Sequence, residues 1–216
     1  MRNLLQSLLL GIVRIVVGAH GRYATTPPNA QQTIYFANHA SHVDTLAILA
    51  ALPSDLRENV RPAAARDYWD ATPARRFIAT HVLRVVFVER KHESGSDSLE
   101  LVKDALAAGF SIILFPEGTR SLTGEIGPFK TGLYWLSAQF PDVALVPVHL
   151  SNLARAMPKG KLLPVPIACQ VSFGNEIVRA DADNSDDKDA FLERARDAVV
   201  NLQNSAEGTP CHTSSG

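Results

Sequence analysis

The sequence predicts an α/β fold: a single domain with a mostly buried central sheet flanked by helices, plus a membrane-associated helix at the N-terminus. Short apolar runs of the β type alternate with helix-type stretches after the Pro27-Pro28 pair. Such alternation is typical of helices packed on a largely buried sheet. The chain has 216 residues, 46% of them hydrophobic, which suffices for one core of good size.

The N-terminal segment, residues 1–22, is predicted to be an amphipathic, membrane-associated helix. On a helical wheel Leu8 and Ile12 lie in a wide apolar face, and Arg14 lies in the narrow polar strip opposite. Because Arg14 would interrupt a membrane-spanning helix, the pattern favours a helix that lies in the membrane interface. A spanning helix, a soluble amphipathic helix and a signal peptide remain alternatives.

The folded domain is predicted to cover residues 30–203, and the small and polar residues 204–216 are predicted to form a flexible tail. The predicted strands are 33–37, 60–65, 84–89, 111–115, 143–149 and 167–173, and the predicted helices are 42–52, 73–81, 98–108, 129–139 and 187–203. Thr72 followed by Pro73 favours a helix start, and Gly109 favours a helix end.

Composition and charge narrow the classes of function. The formal net charge is -1, so the chain lacks the basic character of a nucleic-acid-binding protein. Basic residues outnumber acidic ones eight to four between Arg57 and Lys91; this stretch is either a solvated face or a surface that attracts an anionic substrate or lipid. Cys169 and Cys211 indicate neither a disulfide framework nor a metal site. We therefore expect no metal or other cofactor.

The segment FANHASHVD at 36–44 is the first candidate for catalysis. It follows a predicted strand and precedes a predicted helix, where α/β proteins place reactive side chains. If the chain turns there, Asp44 can hydrogen-bond one ring nitrogen of His39 and leave the other free to take a proton. The spacing alone is weak, because it also arises by chance and Asp44 would then be only a first-turn charge on the helix.

The segment FPEGTRS at 115–121 is the second candidate. Its proline and glycine prevent the preceding apolar run SIILF from continuing as a strand. Glu117, Thr119 and Arg120 are therefore displayed on a loop at a strand end. There the arginine fork and the loop N–H groups suit a phosphate. A solvated loop with an internal pair between Glu117 and Arg120 is the alternative.

Together these segments make the chain resemble the glycerolipid acyltransferases related to 1-acyl-sn-glycerol-3-phosphate acyltransferase. NHASHVD is similar to their first sequence block, Asn-His-x4-Asp, and FPEGTRS matches their third residue for residue. FKTG at 129–132 resembles the Phe-Lys-x-Gly that follows, and VPV at 146–148 resembles the fourth block. The resemblance covers about residues 33–175 and implies the glycerol-3-phosphate acyltransferase-like form of the α/β fold.

The resemblance also implies an activity. A fatty-acyl group would pass from acyl-CoA or acyl-carrier protein to the free hydroxyl of 1-acyl-sn-glycerol 3-phosphate, forming phosphatidic acid in phospholipid biosynthesis. His39 would be the catalytic base, oriented by Asp44. The substrate-binding residues would be Arg90, Glu117, Gly118, Thr119, Arg120 and Lys130. The expected partners are the acyl donor, a lysophospholipid acceptor and a membrane surface, at the cytoplasmic face of a bacterial inner membrane.

Departures from the family pattern leave the acceptor open. The stretch 64–82 contains no glycine and has Arg66 where the family usually has lysine, and His42 replaces a bulky aromatic residue. Another lysolipid or glycerol 3-phosphate is therefore an alternative acceptor. Outside this family, the alternatives are a metal-dependent hydrolase built on the first block and a non-catalytic lipid-binding protein.

Overall fold

The sheet and helices lie in the part of the chain that the computed structural model describes: residues 2–17, 20–24, 31–41, 43–89, 98–121, 123–152, 169–178 and 188–207. The strands are β1 (His20–Tyr23), β2 (Thr33–Ala37), β3 (Val60–Ala65), β4 (Val86–Val88), β5 (Ser111–Leu114), β6 (Ala144–Ser151) and β7 (Gln170–Phe173). The helices are α1 (Arg2–Val17), α2 (Asp44–Ala51), α3 (Ser54–Arg57), α4 (Arg66–Trp69), α5 (Pro73–Phe77), α6 (Glu100–Ala107), α7 (Gly132–Gln139) and α8 (Lys188–Glu207), with a π-helix at Ile78–Leu83.

The strands form one mixed sheet with the order β1-β7-β6-β2-β5-β3-β4. Its described strand pairs are parallel except β6 with β7. Helices cover both faces, so all five residues of β2 are buried, which explains its unbroken apolar sequence. Tyr35 packs into the core cluster that contains residues of α1 and α2. Ile34 and Phe36 pack into the cluster formed with α6, α7 and α8.

The predicted α/β architecture is confirmed: a central mixed sheet lies between helices, and β2 and β3 have the predicted bounds.

One strand, β1, was not predicted. Residues 20–22, predicted as part of the N-terminal helix, belong to β1, which pairs in parallel with β7. Tyr23 anchors this strand by stacking on Phe173, with ring centroids 5.1 Å apart. β1 is largely exposed at the sheet edge, so its sequence lacks the apolar pattern by which strands are recognised.

Two predicted helices also differ. The helix predicted at 73–81 is α-helical only to Phe77, and it continues as the π-helix, which ends at Arg84 in the left-handed conformation with φ 54°. Thr72 caps its start as expected, since its hydroxyl accepts from the Arg75 N–H at 3.3 Å. α8 continues to Glu207 and so enters the segment predicted as a tail, of which residues 208–216 lie outside the described residues.

The helix α1 presents apolar residues both to the core and to solvent. Leu10 and Val13 are buried against α2 and the π-helix, whereas Leu8 and Ile12 are 61% and 50% exposed. The core therefore covers a different face from the stripe of Leu8 and Ile12 that the helical wheel emphasised. Among the described helices, none has the length and apolar character needed to cross a bilayer.

Candidate active site

The centre of the site is a contact between His39 and Asp44 at the carboxyl end of β2. The chain leaves β2, turns, and enters α2 at Asp44, which is fully buried. One oxygen of Asp44, Oδ2, lies 2.8 Å from His39 Nδ1 and also accepts from the backbone N–H groups of Ala40 and Ser41 at 2.7 and 2.8 Å. The short turn and the side chain thus fix each other, and the predicted pairing of His39 with Asp44 is present.

The imidazole of His39 is held in a defined orientation. Its ring stacks on Phe115, with the centroids 4.4 Å apart and the planes 24° apart. An imidazole whose Nδ1–H donates to a carboxylate keeps its lone pair on Nε2. The His39 side chain is 21% exposed, so the ring is neither sequestered in the core nor free in solvent. This arrangement can accept a proton at Nε2 from a substrate placed beside it.

The FPEGTRS loop holds the backbone of His39 from both sides. The loop follows β5, which is the neighbour of β2 in the sheet. Glu117 Oε1 accepts from the His39 N–H at 2.8 Å, and the Ser121 N–H donates to the His39 carbonyl at 2.8 Å. Because parallel neighbours end at the same edge of a sheet, the two candidate segments meet there. The distance in sequence between His39 and Glu117 is 78 residues.

Both carboxylate oxygens of Glu117 accept from backbone N–H groups. Oε1 accepts from His39, and Oε2 accepts from the Gly127 N–H at 3.0 Å. The residue is only 8% exposed. A buried carboxylate with two backbone donors is well suited to fix the loops that supply them. The geometry therefore gives Glu117 a positioning role, and the substrate contact that the family resemblance implies for it stays a prediction.

Gly118 and Lys130 lie against each other beside Glu117. Gly118 has a φ of +71°, a left-handed conformation that favours glycine. A Cβ at this position would lie 2.6 Å from Lys130 Nζ, so a larger residue would displace the end of the lysine side chain. The Lys130 N–H donates to the Pro116 carbonyl at 2.8 Å. The ammonium of Lys130 thereby lies against the FPEGTRS loop at Gly118, and its role in binding an anion stays a prediction.

The remaining predicted residues divide into two groups. Thr119 and Arg120 are exposed on the same loop, where both can meet a ligand. Arg90 and His42 lie outside the described residues.

Within the described ranges, no group of three or more histidine, cysteine, aspartate or glutamate side chains is arranged to hold a metal ion.

Sequence reasoning missed two residues that shape the site. Phe115 supports the His39 ring, and Asn38 ties the end of β2 to β6. The Asn38 amide accepts from the Leu150 N–H at 2.8 Å and donates to the Leu150 carbonyl at 3.2 Å. Asn38 and Phe115 stand close in sequence to His39 and Glu117, which was the only sign of their roles. The Phe115–His39 and Asn38–Leu150 contacts themselves depend on which strands become neighbours.

A buried thiol, that of Cys169, lies near enough to Asp44 to be affected by its charge. Burial, and to a lesser extent the negative charge of Asp44, raises the pKa of Cys169 to about 11. The residue is 2% exposed. A thiol with this pKa is almost wholly protonated at neutral pH, and nucleophilic chemistry requires the thiolate. Cys169 is therefore a packing residue near the site.

Comparison with known proteins places the chain in a family. The family model described as Acyltransferase matches residues 20–151. The chain belongs to the acyltransferase family. A 1-acyl-sn-glycerol-3-phosphate acyltransferase of Limnanthes douglasii is 28% identical over 169 residues, which cover 76% of this chain and 58% of the relative. The human 1-acyl-sn-glycerol-3-phosphate acyltransferase alpha is 32% identical over 146 residues, or 67% of this chain and 47% of the relative. The acyltransferase chain thus spans about half the length of these relatives.

A solved structure supports the fold of this acyltransferase. The crystal structure of the 1-acyl-sn-glycerophosphate (LPA) acyltransferase PlsC from Thermotoga maritima superimposes with a TM-score of 0.67. The match covers 97% of this chain and 84% of the other, at 18% sequence identity. The predicted glycerol-3-phosphate acyltransferase-like form of the α/β fold is therefore in accord with a solved acyltransferase fold.

Proposed function

We propose that the protein transfers a fatty-acyl group from an acyl thioester to the free hydroxyl of 1-acyl-sn-glycerol 3-phosphate, forming phosphatidic acid. The observation that carries the proposal is the 2.8 Å contact between the His39 N–H and Glu117 Oε1. It joins a histidine–aspartate pair, able to take a proton, to a loop that displays arginine and threonine. The names of the relatives, 1-acyl-sn-glycerol-3-phosphate acyltransferase, support the same substrate class.

The proposed reaction is a direct transfer. His39 Nε2 removes the proton of the acceptor hydroxyl while the hydroxyl oxygen attacks the thioester carbonyl. The new C–O bond forms, the C–S bond breaks, and the proton passes from His39 to the departing thiolate. Asp44 holds the ring by accepting from Nδ1–H and interacts favourably with the imidazolium that forms. A positioned base of this kind contributes about 10²–10⁴-fold to the rate, and holding the two substrates together contributes more.

The acceptor phosphate is proposed to bind at the FPEGTRS loop. Arg120, Thr119 and Lys130 are exposed there and can donate to phosphate oxygens, as can the loop backbone. Arg90 is proposed to join them from the basic stretch 57–91. Glu117 would support this binding by fixing the loop, since both of its oxygens accept from backbone N–H groups.

The donor is proposed to be acyl-CoA or acyl-carrier protein, and the site of action the cytoplasmic face of a bacterial inner membrane. The exposed apolar residues Leu8 and Ile12 of α1 support contact with that membrane. Phospholipid biosynthesis is the process that consumes the product. No metal or other cofactor is needed for the proposed steps.

A panel of acceptors and donors tests the proposal. Purified protein is incubated in EDTA with radiolabelled acyl-CoA or acyl-carrier protein and with 1-acyl-sn-glycerol 3-phosphate, lysophosphatidylcholine or glycerol 3-phosphate. We expect labelled phosphatidic acid from the first acceptor, undiminished by the chelator. Preference for another acceptor would replace the proposed substrate. Release of free fatty acid that EDTA abolishes would indicate a metal hydrolase, and no turnover with any pair would indicate a non-catalytic lipid-binding protein.

A further inference from the structure

Exposed apolar side chains concentrate on α1 and on the segment formed by α5 and the π-helix. Of the seven large apolar side chains exposed among the described residues, four lie on these elements: Leu8, Ile12, Phe77 and Ile78. The elements adjoin one another, because α1 packs against the π-helix and α5 runs directly into it. Scattered exposed apolar residues are ordinary, but several on adjoining elements indicate an interaction surface.

The helix α5 buries none of its residues. The π-helix that continues it is anchored in the core through Ala79, Val82 and Leu83, which leaves Phe77 and Ile78 in solvent, 52% and 37% exposed. The ring of Phe77 stacks on that of the exposed His81, with centroids 4.8 Å apart. The fold thus holds an apolar and aromatic surface outward on a segment that is fixed at one end.

Arginine side chains flank these apolar residues. The guanidinium of Arg75 lies 4.8 Å from the centre of the Tyr68 ring. Arg76 is 70% exposed, and its Nε lies 3.8 Å from Asp70 Oδ1, a long and solvent-exposed ion pair. Aromatic and aliphatic side chains beside arginine suit the boundary between acyl chains and headgroups, where cations meet lipid phosphates.

We propose that Arg75, Arg76, Phe77, Ile78 and His81, which we call the α5 surface, dock onto an anionic lipid bilayer together with the exposed face of α1. Phe77 and Ile78 enter the interface, and the two arginines contact lipid phosphates. The inference rests on the proposed function in one respect: its acceptor is a lipid that resides in such a bilayer. Membrane contact then extends beyond the N-terminal helix to an internal segment of the domain.

Vesicle co-sedimentation of the full chain tests the proposal. The vesicles are phosphatidylcholine alone or phosphatidylcholine with phosphatidylglycerol. We expect the double variant Phe77→Ser/Ile78→Ser to lower partitioning onto the mixed vesicles at least about fivefold. The variant Arg75→Gln/Arg76→Gln should remove most of the preference for mixed over neutral vesicles.

Matched controls use exposed apolar residues elsewhere. Leu101 and Val178 are 45% and 77% exposed, so Leu101→Ser/Val178→Ser should leave partitioning within about twofold of the unmodified protein. Leu8→Ser/Ile12→Ser reports on α1 separately. The proposal is overturned if the Phe77/Ile78 variant binds vesicles as the control does. That includes the case in which only the α1 variant loses vesicle binding. It also includes the case in which the Phe77/Ile78 variant keeps vesicle binding but loses binding to acyl-carrier protein.

The two proposals can fail separately. Acyl transfer to an acceptor dispersed in detergent micelles does not require docking on a bilayer, so the Phe77/Ile78 variant should keep its micellar activity. If the unmodified protein transfers no acyl group but the variant still loses vesicle binding, the proposed function fails and the α5 surface stands. If transfer is observed and vesicle binding is unchanged in the variant, the α5 surface fails and the function stands.

Discussion

The backbone N–H of His39 donates to Glu117 Oε1 at 2.8 Å. This bond connects the turn after β2 to the loop after β5 and makes the position of the histidine depend on a buried carboxylate. The other Glu117 oxygen fixes the backbone at Gly127. One side chain therefore couples the proposed base to the loop proposed to bind phosphate.

Replacement of Glu117 should reduce turnover more than substrate affinity. Glu117→Ala leaves two backbone N–H groups without their acceptor, which costs about 1–3 kcal/mol for each buried group. We expect a lower melting temperature and a lower kcat, with a smaller rise in the KM for the acceptor because the loop proposed to bind phosphate also loses support. Glu117→Gln should be milder, since its one amide oxygen can still accept one of the two bonds. Glu125→Gln, on an exposed loop residue, is the control. An increase confined to KM would instead assign Glu117 to direct acceptor binding.

Removal of the imidazole should abolish most turnover without unfolding the protein. The His39 side chain is partly exposed and packs on Phe115, and the buried Asp44 keeps two backbone N–H donors after its loss, so His39→Ala should lower the melting temperature without unfolding the protein. We expect kcat to fall about 10²–10⁴-fold because the general base is lost. His20→Ala, at the exposed sheet edge, should retain normal kcat. Near-normal turnover by folded His39→Ala would reject the assignment of the base.

Gly118→Ala should weaken binding of the phosphorylated acceptor. The new methyl group would collide with Lys130, whose Nζ lies 2.6 Å from the Cβ position, and would displace the ammonium from the loop. We expect a higher KM for the acceptor and an unchanged KM for the acyl donor.

Gly124→Ala is the matched control for Gly118→Ala. Its φ is +86°, so the added methyl group meets the same kind of backbone strain, about 1–2 kcal/mol. No atom outside its immediate chain neighbours lies within 4 Å of the Cβ position. If both alanine variants raise the acceptor KM equally, loop strain rather than Lys130 determines the effect.

Cys169 should make stability fall at alkaline pH. Burial raises its pKa from the usual 9.0 to about 11 in the folded protein, so the unfolded chain loses this proton first as the pH increases. The stabilisation is fully present below about pH 9 and is lost as the pH rises to about 11. Urea unfolding between pH 8 and pH 11 should therefore give a shallower decline for Cys169→Ala. Only the difference in slope is informative, because the substitution also leaves a cavity. Parallel curves would contradict the raised pKa.

The contact between His39 and Asp44 could be predicted because it is local. A strand, a turn and a helix start lie within a few residues. The carboxylate of Asp44, at the first helical position, is therefore held close to the His39 ring. The strands β2 and β5 could also be predicted from their apolar runs, since strands buried on both faces have near-continuous hydrophobic sequences.

Other features depended on the tertiary fold. The two backbone N–H groups that donate to the Glu117 carboxylate could not be predicted, because the sequence gives no sign that β2 and β5 are neighbours. α1 has apolar residues around most of its circumference, and only packing against α2 and the π-helix selects Leu10 and Val13 for the core. β1 was missed because pairing with β7, rather than an apolar pattern, holds it.

The central place of β2 has a consequence for biosynthesis. Its partners on the two sides are β5 and β6, which begin at Ser111 and Ala144. The nascent strand TIYFA thus leaves the ribosome with apolar side chains on both faces, and its first partner, β5, is made only after about a third of the chain has followed. Strand pairings between segments so distant in sequence form slowly, and the folding intermediates that precede them are prone to aggregate. We therefore expect refolding yields to fall with protein concentration, and enzymatic turnover to return only after the complete sheet has assembled.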